Sequence, residues 1–175
     1  KNFVNVLYEK QNGEYPRLGD LYKQTKVLSG SGANTRNFIL LGDPALSLAY
    51  PKYNVNTTSI SDTIKALETI TISGNITDEN GVMLNDFNGI LTPTVFDKEV
   101  IAYTLGQESC SPMPYRDQTS IIYKGEVSVN SGEFSFSFVV PKDIDNSYNN
   151  GKISYYAKDD FFNDATGYDD SFVIG

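Results

Sequence analysis

The sequence predicts a mainly β fold preceded by a short helical segment, and three patterns in its 175 residues point to it. From about residue 46 onward, apolar and polar residues alternate in short runs, which is the periodicity of half-buried strands. Asn, Asp, Gly and Pro separate these runs, as expected of turns between strands. Before residue 46 the apolar residues recur at spacings of three and four, which is typical of helices.

The helical segment predicts two helices. The first carries Phe3, Val6 and Leu7 on one face, and Asn12-Gly13 is its candidate C-terminal cap. The second begins after Pro16, which suits a first helical turn, and ends at the Ser/Gly run that follows residue 28. Its apolar face comprises Leu18, Leu21, Tyr22, Thr25 and Leu28.

An apolar run, Phe38–Leu41, follows these helices and is closed by Gly42-Asp43-Pro44. Four apolar residues bounded by turn formers predict a strand or an extended segment inside a core.

The remainder of the chain predicts some eight short strands. The clearest alternation is in Phe134, Phe136 and Phe138, and Asn130-Ser131-Gly132 before them is a hairpin-turn signal. The other candidates are Val55–Ile60, Thr69–Ser73, Ile90–Phe96, Ser120–Tyr123, Glu126–Asn130, Ile153–Ala157 and Ser171–Ile174. Many short strands with few helices favour an immunoglobulin-like antiparallel β-sandwich, with a barrel as the alternative.

Composition excludes several classes of function. The net charge of −8 argues against a nucleic-acid partner, because phosphate binding requires Lys and Arg. With no His, the chain holds no Ser-His-Asp triad, no Cys-His dyad and no His-ligated metal; its one Cys forms no internal disulfide. No apolar run approaches the roughly 20 residues of a transmembrane helix.

The charge is distributed unevenly along the chain. Residues 1–60 carry seven Lys and Arg against four Asp and Glu, net +3, whereas residues 61–175 carry seven against eighteen, net −11. This asymmetry predicts two units, residues 1–46 and residues 47–175.

Three features could carry chemistry or binding. Cys110 lies in a Pro-flanked loop, but no His is present to activate it as a nucleophile, so an ordinary loop thiol is expected. The acidic C-terminal third contains weak calcium candidates, because Asp-rich loops supply the oxygen ligands that Ca²⁺ prefers; they are Asp143, Asp145, Asp159 and Asp160. Exposed tyrosines such as one of Tyr155-Tyr156 could stack on sugars, although core packing is the simpler explanation.

The segment Leu40–Leu46, LLGDPAL, resembles the end of the catalytic domain in gingipain-type cysteine peptidases. Within that family the chain is most similar to the sortase of the type IX secretion system. Further blocks of the resemblance are Leu48–Val55, Phe87–Gly89, Thr94–Lys98, Phe138–Ile144 and Gly151–Ala157. One departure is Leu18-Gly19-Asp20, where the family has Leu-Gly-Glu.

The resemblance implies a partial protein. Residues 1–46 would be the C-terminal remnant of a caspase-like α/β peptidase domain, and residues 47–175 its immunoglobulin-like sandwich. In that family the catalytic Cys and His lie upstream of the GDP element. The resemblance therefore assigns no catalytic residue to any position of this sequence, and this fragment is expected not to be an enzyme. The parent would be a cysteine endopeptidase that removes secretion signals from cargo at the outer membrane of a Gram-negative bacterium.

Two functions follow as alternatives. The first is a non-catalytic structural or interaction module whose partners are its own upstream peptidase domain and, further, secreted cargo or secretion-system components. The second is a cell-surface adhesion or carbohydrate-binding sandwich, with calcium as the one cofactor considered. Because the helical segment is too short to bury its own core, its apolar residues are expected to be partly exposed or packed against the sandwich or a second copy; they are Leu18, Leu21, Leu28, Phe38 and Leu40.

Overall fold

The computed structural model describes residues 2–107, 109–144 and 147–175. The chain divides into two compact units, residues 1–50 and residues 51–175.

The first unit contains three helices: α1 (Asn2–Leu7), α2 (Leu18–Leu28) and α3 (Ala33–Asn37). Helices α1 and α2 pack against each other, and Val6 and Leu21 are each only 1% exposed. The second predicted helix is confirmed. The third was missed, because its sequence ANTRN contains no apolar period.

Two expectations for this unit were wrong. Helix α1 ends at Leu7, and Asn12-Gly13 forms instead a tight turn with positive φ angles of 53° and 87°. Backbone hydrogen bonds between Gln11 and Glu14 close that turn. The described run Phe38–Leu41 is not a strand inside a core: it has no paired strand, and Phe38 and Leu41 are 72% and 86% exposed.

The second unit is mainly β, which confirms the predicted fold class. Its thirteen strands among the described residues are β1 (Tyr53–Ser59), β2 (Thr63–Ile64), β3 (Thr69–Thr77), β4 (Gly89–Phe96), β5 (Val100–Tyr103), β6 (Pro114–Asp117), β7 (Ile121–Lys124), β8 (Val127–Val129), β9 (Glu133–Val139), β10 (Asn149–Asn150), β11 (Lys152–Asp159), β12 (Asp164–Asp169) and β13 (Val173–Ile174).

Eight of these strands form one large sheet in the order β7-β4-β11-β12-β1-β3-β9, with β8 beside β4. Two smaller sheets, β10-β13-β2 and β5-β6, accompany it. The expectation of purely antiparallel pairing needs correction, since β1 pairs in parallel with β12, and β13 with β2. A large mixed sheet of this kind is consistent with a β-sandwich.

Aromatic side chains hold the two ends of the large sheet together. Tyr123 on β7 stacks on Phe136 and Phe138 of β9, with ring centroids 5.4 and 4.6 Å apart. Because β7 and β9 are opposite ends of the strand order, these contacts require the sheet to curl upon its own inner face. Phe134 extends this aromatic cluster to Tyr155 on β11, whose ring lies 5.7 Å away at a tilt of 53°.

The predicted turn at Asn130-Ser131-Gly132 is present, with positive φ at Ser131 and Gly132. It does not join a simple hairpin, however. Strand β8 pairs with β4 and strand β9 pairs with β3, so the strands diverge after one bridge between Asn130 and Glu133.

Strand β12 was missed although it is central to the sheet. Of its residues only Ala165 is buried, and Gly167 has no side chain to bury, so no apolar alternation reveals the strand. Gly167 is required by packing, since a Cβ there would lie 2.0 Å from the carbonyl oxygen of Val55.

Substitution of Tyr155 by Phe will reduce the loss of stability at alkaline pH. Burial raises the pKa of the Tyr155 phenol to about 12, while its hydroxyl lies 2.9 Å from that of Thr57. The pKa of this phenol is thus higher in the folded state than its value of about 10 in the unfolded state. The protonated phenol therefore contributes fully to the stability of the fold below pH 10, and this contribution is lost as the pH rises toward 12. Between pH 9 and 11, the wild type will therefore lose about 1 kcal/mol more unfolding free energy than Tyr155→Phe.

Urea denaturation at the two pH values measures this difference. Tyr168→Phe is the control, because Tyr168 is 73% exposed and its substitution should leave the pH dependence unchanged. Equal slopes for the wild type and Tyr155→Phe would contradict the prediction.

Candidate interaction surfaces

The GDPAL segment forms the N-terminal cap of helix α2. The Leu18 and Gly19 amides donate hydrogen bonds of 2.8 and 2.9 Å to the carbonyls of Leu46 and Pro44. These bonds satisfy two of the amides that a helix N-terminus leaves unpaired, and Arg17 at the N-cap supplies no side-chain cap. The role of this segment in the described structure is therefore structural.

Residue 19 is Gly because the segment approaches the helix closely. A Cβ there would lie 2.9 Å from the Cβ of Pro44. The next residue, Asp20, accepts a 3.1 Å hydrogen bond from Arg17 on an exposed helix surface. A Glu at this position, as in the family that the sequence resembles, would also carry a carboxylate. The cap is formed by backbone groups, so the departure noted in the sequence leaves it intact.

An apolar groove of about 540 Å³ lies in the first unit, along helix α2. One wall is α2 itself, with Leu18, Leu21 and Tyr22, and the other is the extended run that begins at Phe38. Tyr22 donates a hydrogen bond from its hydroxyl to the Phe38 carbonyl, which fixes this run beside the helix. Phe38 and Ile39 nevertheless remain 72% and 69% exposed.

Two polar side chains of α2 also line the groove. The Thr25 Oγ1 atom is buried and has no hydrogen-bond partner among the described residues. The Lys26 ammonium lies 4.9 Å above the Tyr22 ring and donates to the Arg36 carbonyl. The groove is thus apolar, with one cation and one unsatisfied hydroxyl.

The predicted partial exposure of the helical segment's apolar residues is confirmed. Leu28 and Phe38 are 59% and 72% exposed, Leu18 and Leu40 are intermediate, and Leu21 alone is buried. Exposed apolar side chains clustered around a groove are typical of a surface that another protein segment covers.

The Asp97-Lys98 pair, at the end of the Thr94–Lys98 block, is buried after strand β4. The side chains of Lys98 and Asp97 are 3% and 11% exposed, and Nζ lies 3.1 Å from Oδ1. The same carboxylate accepts the Lys98 amide at 2.8 Å, and the Asp97 carbonyl accepts a hydrogen bond from Gln118. This block therefore contributes to the core rather than to chemistry.

The Phe87-Asn88-Gly89 block anchors the turn between β8 and β9. Phe87 is buried, and its carbonyl accepts a hydrogen bond from Gly132. The Asn88 side chain accepts another from Ser131 at 2.9 Å. This block too has a structural role.

The residues singled out for chemistry are dispersed. Cys110 is exposed in the loop between β5 and β6. Asp143 and Asp160 are exposed, and Asp145 lies outside the described residues. No group of three or more His, Cys, Asp or Glu side chains within residues 2–107, 109–144 and 147–175 is arranged to hold a metal ion.

Asp159 organises the turn between β11 and β12. Its Oδ1 accepts the amides of Phe161 and Asn163 at 2.9 and 2.8 Å, and its Oδ2 accepts the Asn163 side chain. Burial is the largest single influence and would raise the pKa of Asp159, but these hydrogen bonds and the charge of Lys52 together outweigh it and lower that pKa. Calcium binding by the acidic loops stays a prediction, which a rise in melting temperature at millimolar Ca²⁺ would support.

Two exposed surfaces of the second unit were missed. The β5-β6 ribbon exposes apolar residues, including Val100, Ile101 and Tyr103 at 53%, 57% and 64%. On the large sheet, Tyr156 and Tyr168 are 45% and 73% exposed. The sequence predicted that one of Tyr155 and Tyr156 is exposed. Tyr168 was not predicted to be exposed on a sheet, because the aspartates around it indicated an acidic loop.

No helix in the described part of the chain is long and apolar enough to cross a membrane.

The class that these features indicate is a mainly β module bearing a helical segment with an apolar groove. In both fold and sequence it is similar to one segment of a known protein: the crystal structure of dimeric latent PorU from Porphyromonas gingivalis. The match has 27% identity and a TM-score of 0.65, and it covers 97% of this chain and 17% of the PorU chain. The chain thus spans about a sixth of PorU.

Two other solved structures have lower identity and lower TM-scores. Spo0M, a sporulation control protein from Bacillus subtilis, is 10% identical with a TM-score of 0.45, over 71% of this chain and 50% of its own. A superoxide reductase from Ignicoccus hospitalis is 7% identical with a TM-score of 0.33, over 70% and 80%. Both TM-scores are below 0.5, and neither structure indicates a function for this chain. No protein-family model and no curated protein matches the chain.

Substitution of Asp97 by Ala will lower the free energy of unfolding by about 3 kcal/mol, because it removes the carboxylate beside a buried ammonium group. Urea denaturation at neutral pH measures the effect. The double variant Asp97→Ala/Lys98→Met should recover part of the loss, since it removes the buried charge as well.

Asp86→Ala is the matched control, because Asp86 is exposed. A loss below about 1 kcal/mol for Asp97→Ala would show that the pair is not important for stability. A double variant no more stable than the single one would contradict the explanation by the buried charge.

Proposed function

We propose that this chain is the non-catalytic C-terminal region of a cysteine peptidase similar to PorU, and that it acts as a structural or interaction module. The similarity to PorU over 97% of the chain carries the proposal. The absence of His from the sequence supports it, because a Cys-His dyad must then come from elsewhere in the parent protein.

The apolar groove of the first unit is the proposed docking site of the upstream peptidase domain. A surface with Phe38 and Ile39 both more than two-thirds exposed resembles the inside of a larger core rather than a finished surface. An adjoining helix or strand would cover the groove, bury these side chains, and offer a partner to the Thr25 hydroxyl.

The finer part of the proposal concerns the parent protein. A gingipain-type peptidase of this kind would act as a sortase of the type IX secretion system, removing the secretion signal from cargo at the outer membrane or cell surface. The module would hold the peptidase domain in place, and cargo or secretion-system components would be its further partners.

A direct test is to express the complete open reading frame that encodes this chain and, in parallel, the 175-residue chain. The proposal expects cleavage of peptide substrates by the complete protein, its loss on substitution of an upstream Cys, and none by the chain alone. A reading frame without upstream Cys and His residues, or an active isolated chain, would overturn it.

Substitution of Phe38 by Asp should weaken the attachment of the upstream domain without affecting the chain alone. Placing a carboxylate where an apolar side chain is covered costs about 2 kcal/mol, or about thirtyfold in affinity. In the isolated chain the Phe38 side chain is exposed, so its melting temperature should change little.

Leu41→Asp is the matched control, since Leu41 is 86% exposed in the same run but does not line the groove. Binding between the separately produced upstream domain and each variant chain, measured by calorimetry, checks the expectation. Equal affinities for the Phe38→Asp and Leu41→Asp variants would rule out the groove as the docking site.

A further inference from the structure

We infer that the outer face of strands β4, β11 and β12 binds a neutral oligosaccharide or polysaccharide. The inference is independent of the proposed function, because it concerns a surface of the second unit and holds whether or not the chain belongs to a peptidase.

The face is defined by two rows of residues that lie opposite one another across neighbouring strands. Strand alternation directs these side chains outward, since the intervening residues Leu91, Tyr155 and Ala165 are buried. The first row is Thr92, Tyr156, Thr166 and Asn54, and the second is Thr94, Ser154 and Tyr168.

All seven residues of these rows are uncharged. They lie on a unit with eight Lys and Arg against eighteen Asp and Glu, net −10. The second row ends at Lys124 of β7, which lies opposite Thr94, and other charged residues occur in the flanking rows, where Lys158 faces Asp164 and Lys152 lies 4.5 Å above the Phe96 ring. A patch without charge can be covered by an uncharged polyol without desolvating an ion.

The two tyrosines offer flat apolar rings to a ligand. Tyr168 is 73% and Tyr156 is 45% exposed. A 2.9 Å hydrogen bond from the Tyr156 hydroxyl to Asp164 holds the ring in place, and this bond to a carboxylate raises the pKa of the phenol. A sugar ring presents C–H groups on its faces and hydroxyls on its edges, which matches rings surrounded by Ser, Thr and Asn.

The spacing of the tyrosines favours a chain of sugars over a monosaccharide. Tyr156 lies opposite Thr166, so Tyr168 is its diagonal neighbour across the two strands. Diagonal neighbours are about 7–8 Å apart, farther than one pyranose ring covers. A protein partner fits less well, because small polar Ser and Thr side chains, which are rare among the residues that dominate protein binding, surround the two tyrosines.

The test uses the 175-residue chain and affinity electrophoresis in gels containing dextran, mannan, glycogen or galactomannan. We expect at least one of these to retard the wild type. Tyr168→Ala and Tyr156→Ala should each weaken that binding about tenfold, because each removes one stacking contact. Tyr156→Phe keeps the ring and should retain most of the affinity.

Tyr103→Ala is the matched control, because Tyr103 is 64% exposed on the β5-β6 ribbon, and it should bind as the wild type does. Binding should also be unchanged between about 50 and 500 mM salt, since no ion pair contributes. Melting curves establish that each variant is folded.

Failure of all four polysaccharides to retard the folded wild type would overturn the inference. So would equal binding by Tyr168→Ala and the wild type. Self-association in sedimentation experiments that Tyr168→Ala abolishes, without polysaccharide binding, would identify the face as a protein contact and overturn it as well.

Discussion

The second unit depends on one contact between strands that are far apart in the sheet: the stacking of Tyr123 on Phe136 and Phe138. An eight-stranded sheet that remained open would leave its apolar face in water. Stacking β7 on β9 curls that face inward, so that Ile72, Leu91 and other side chains become fully buried. The outer face is then free to be polar, which is what allows it to have a binding role.

Three of the sequence blocks that carry the family resemblance have structural roles in this chain. The GDPAL segment caps helix α2, the Asp97-Lys98 pair is buried beside strand β4, and the Phe87–Gly89 block holds a turn. None of them requires chemistry in this chain. Each of them supports the fold of its own unit.

Sequence reasoning succeeded where one face of an element is buried and the other is solvated. Helix α2 and the Phe-Ser alternation of β9 have that property, and both were predicted. Strand β12 was missed because Ala165 and Gly167 face inward and carry little apolar signal. The run at Phe38 was misjudged for the opposite reason: it is apolar enough for a core, yet Phe38 and Leu41 are exposed. Tyr168 could not be recognised as exposed until β12 was known to be a strand.

The position of the β11-β12 pair in the strand order has a consequence for biosynthesis. These strands lie between β4 and β1, so the hydrogen bonding that joins the two halves of the sheet runs through residues 152–169. They are the last strands of the large sheet in chain order. Until they emerge, β4 and β1 lack their shared neighbours, and the nascent chain cannot complete its sheet. Closure of the sheet therefore follows the synthesis of all its other strands, and until then β4 and β1 each keep an unpaired edge.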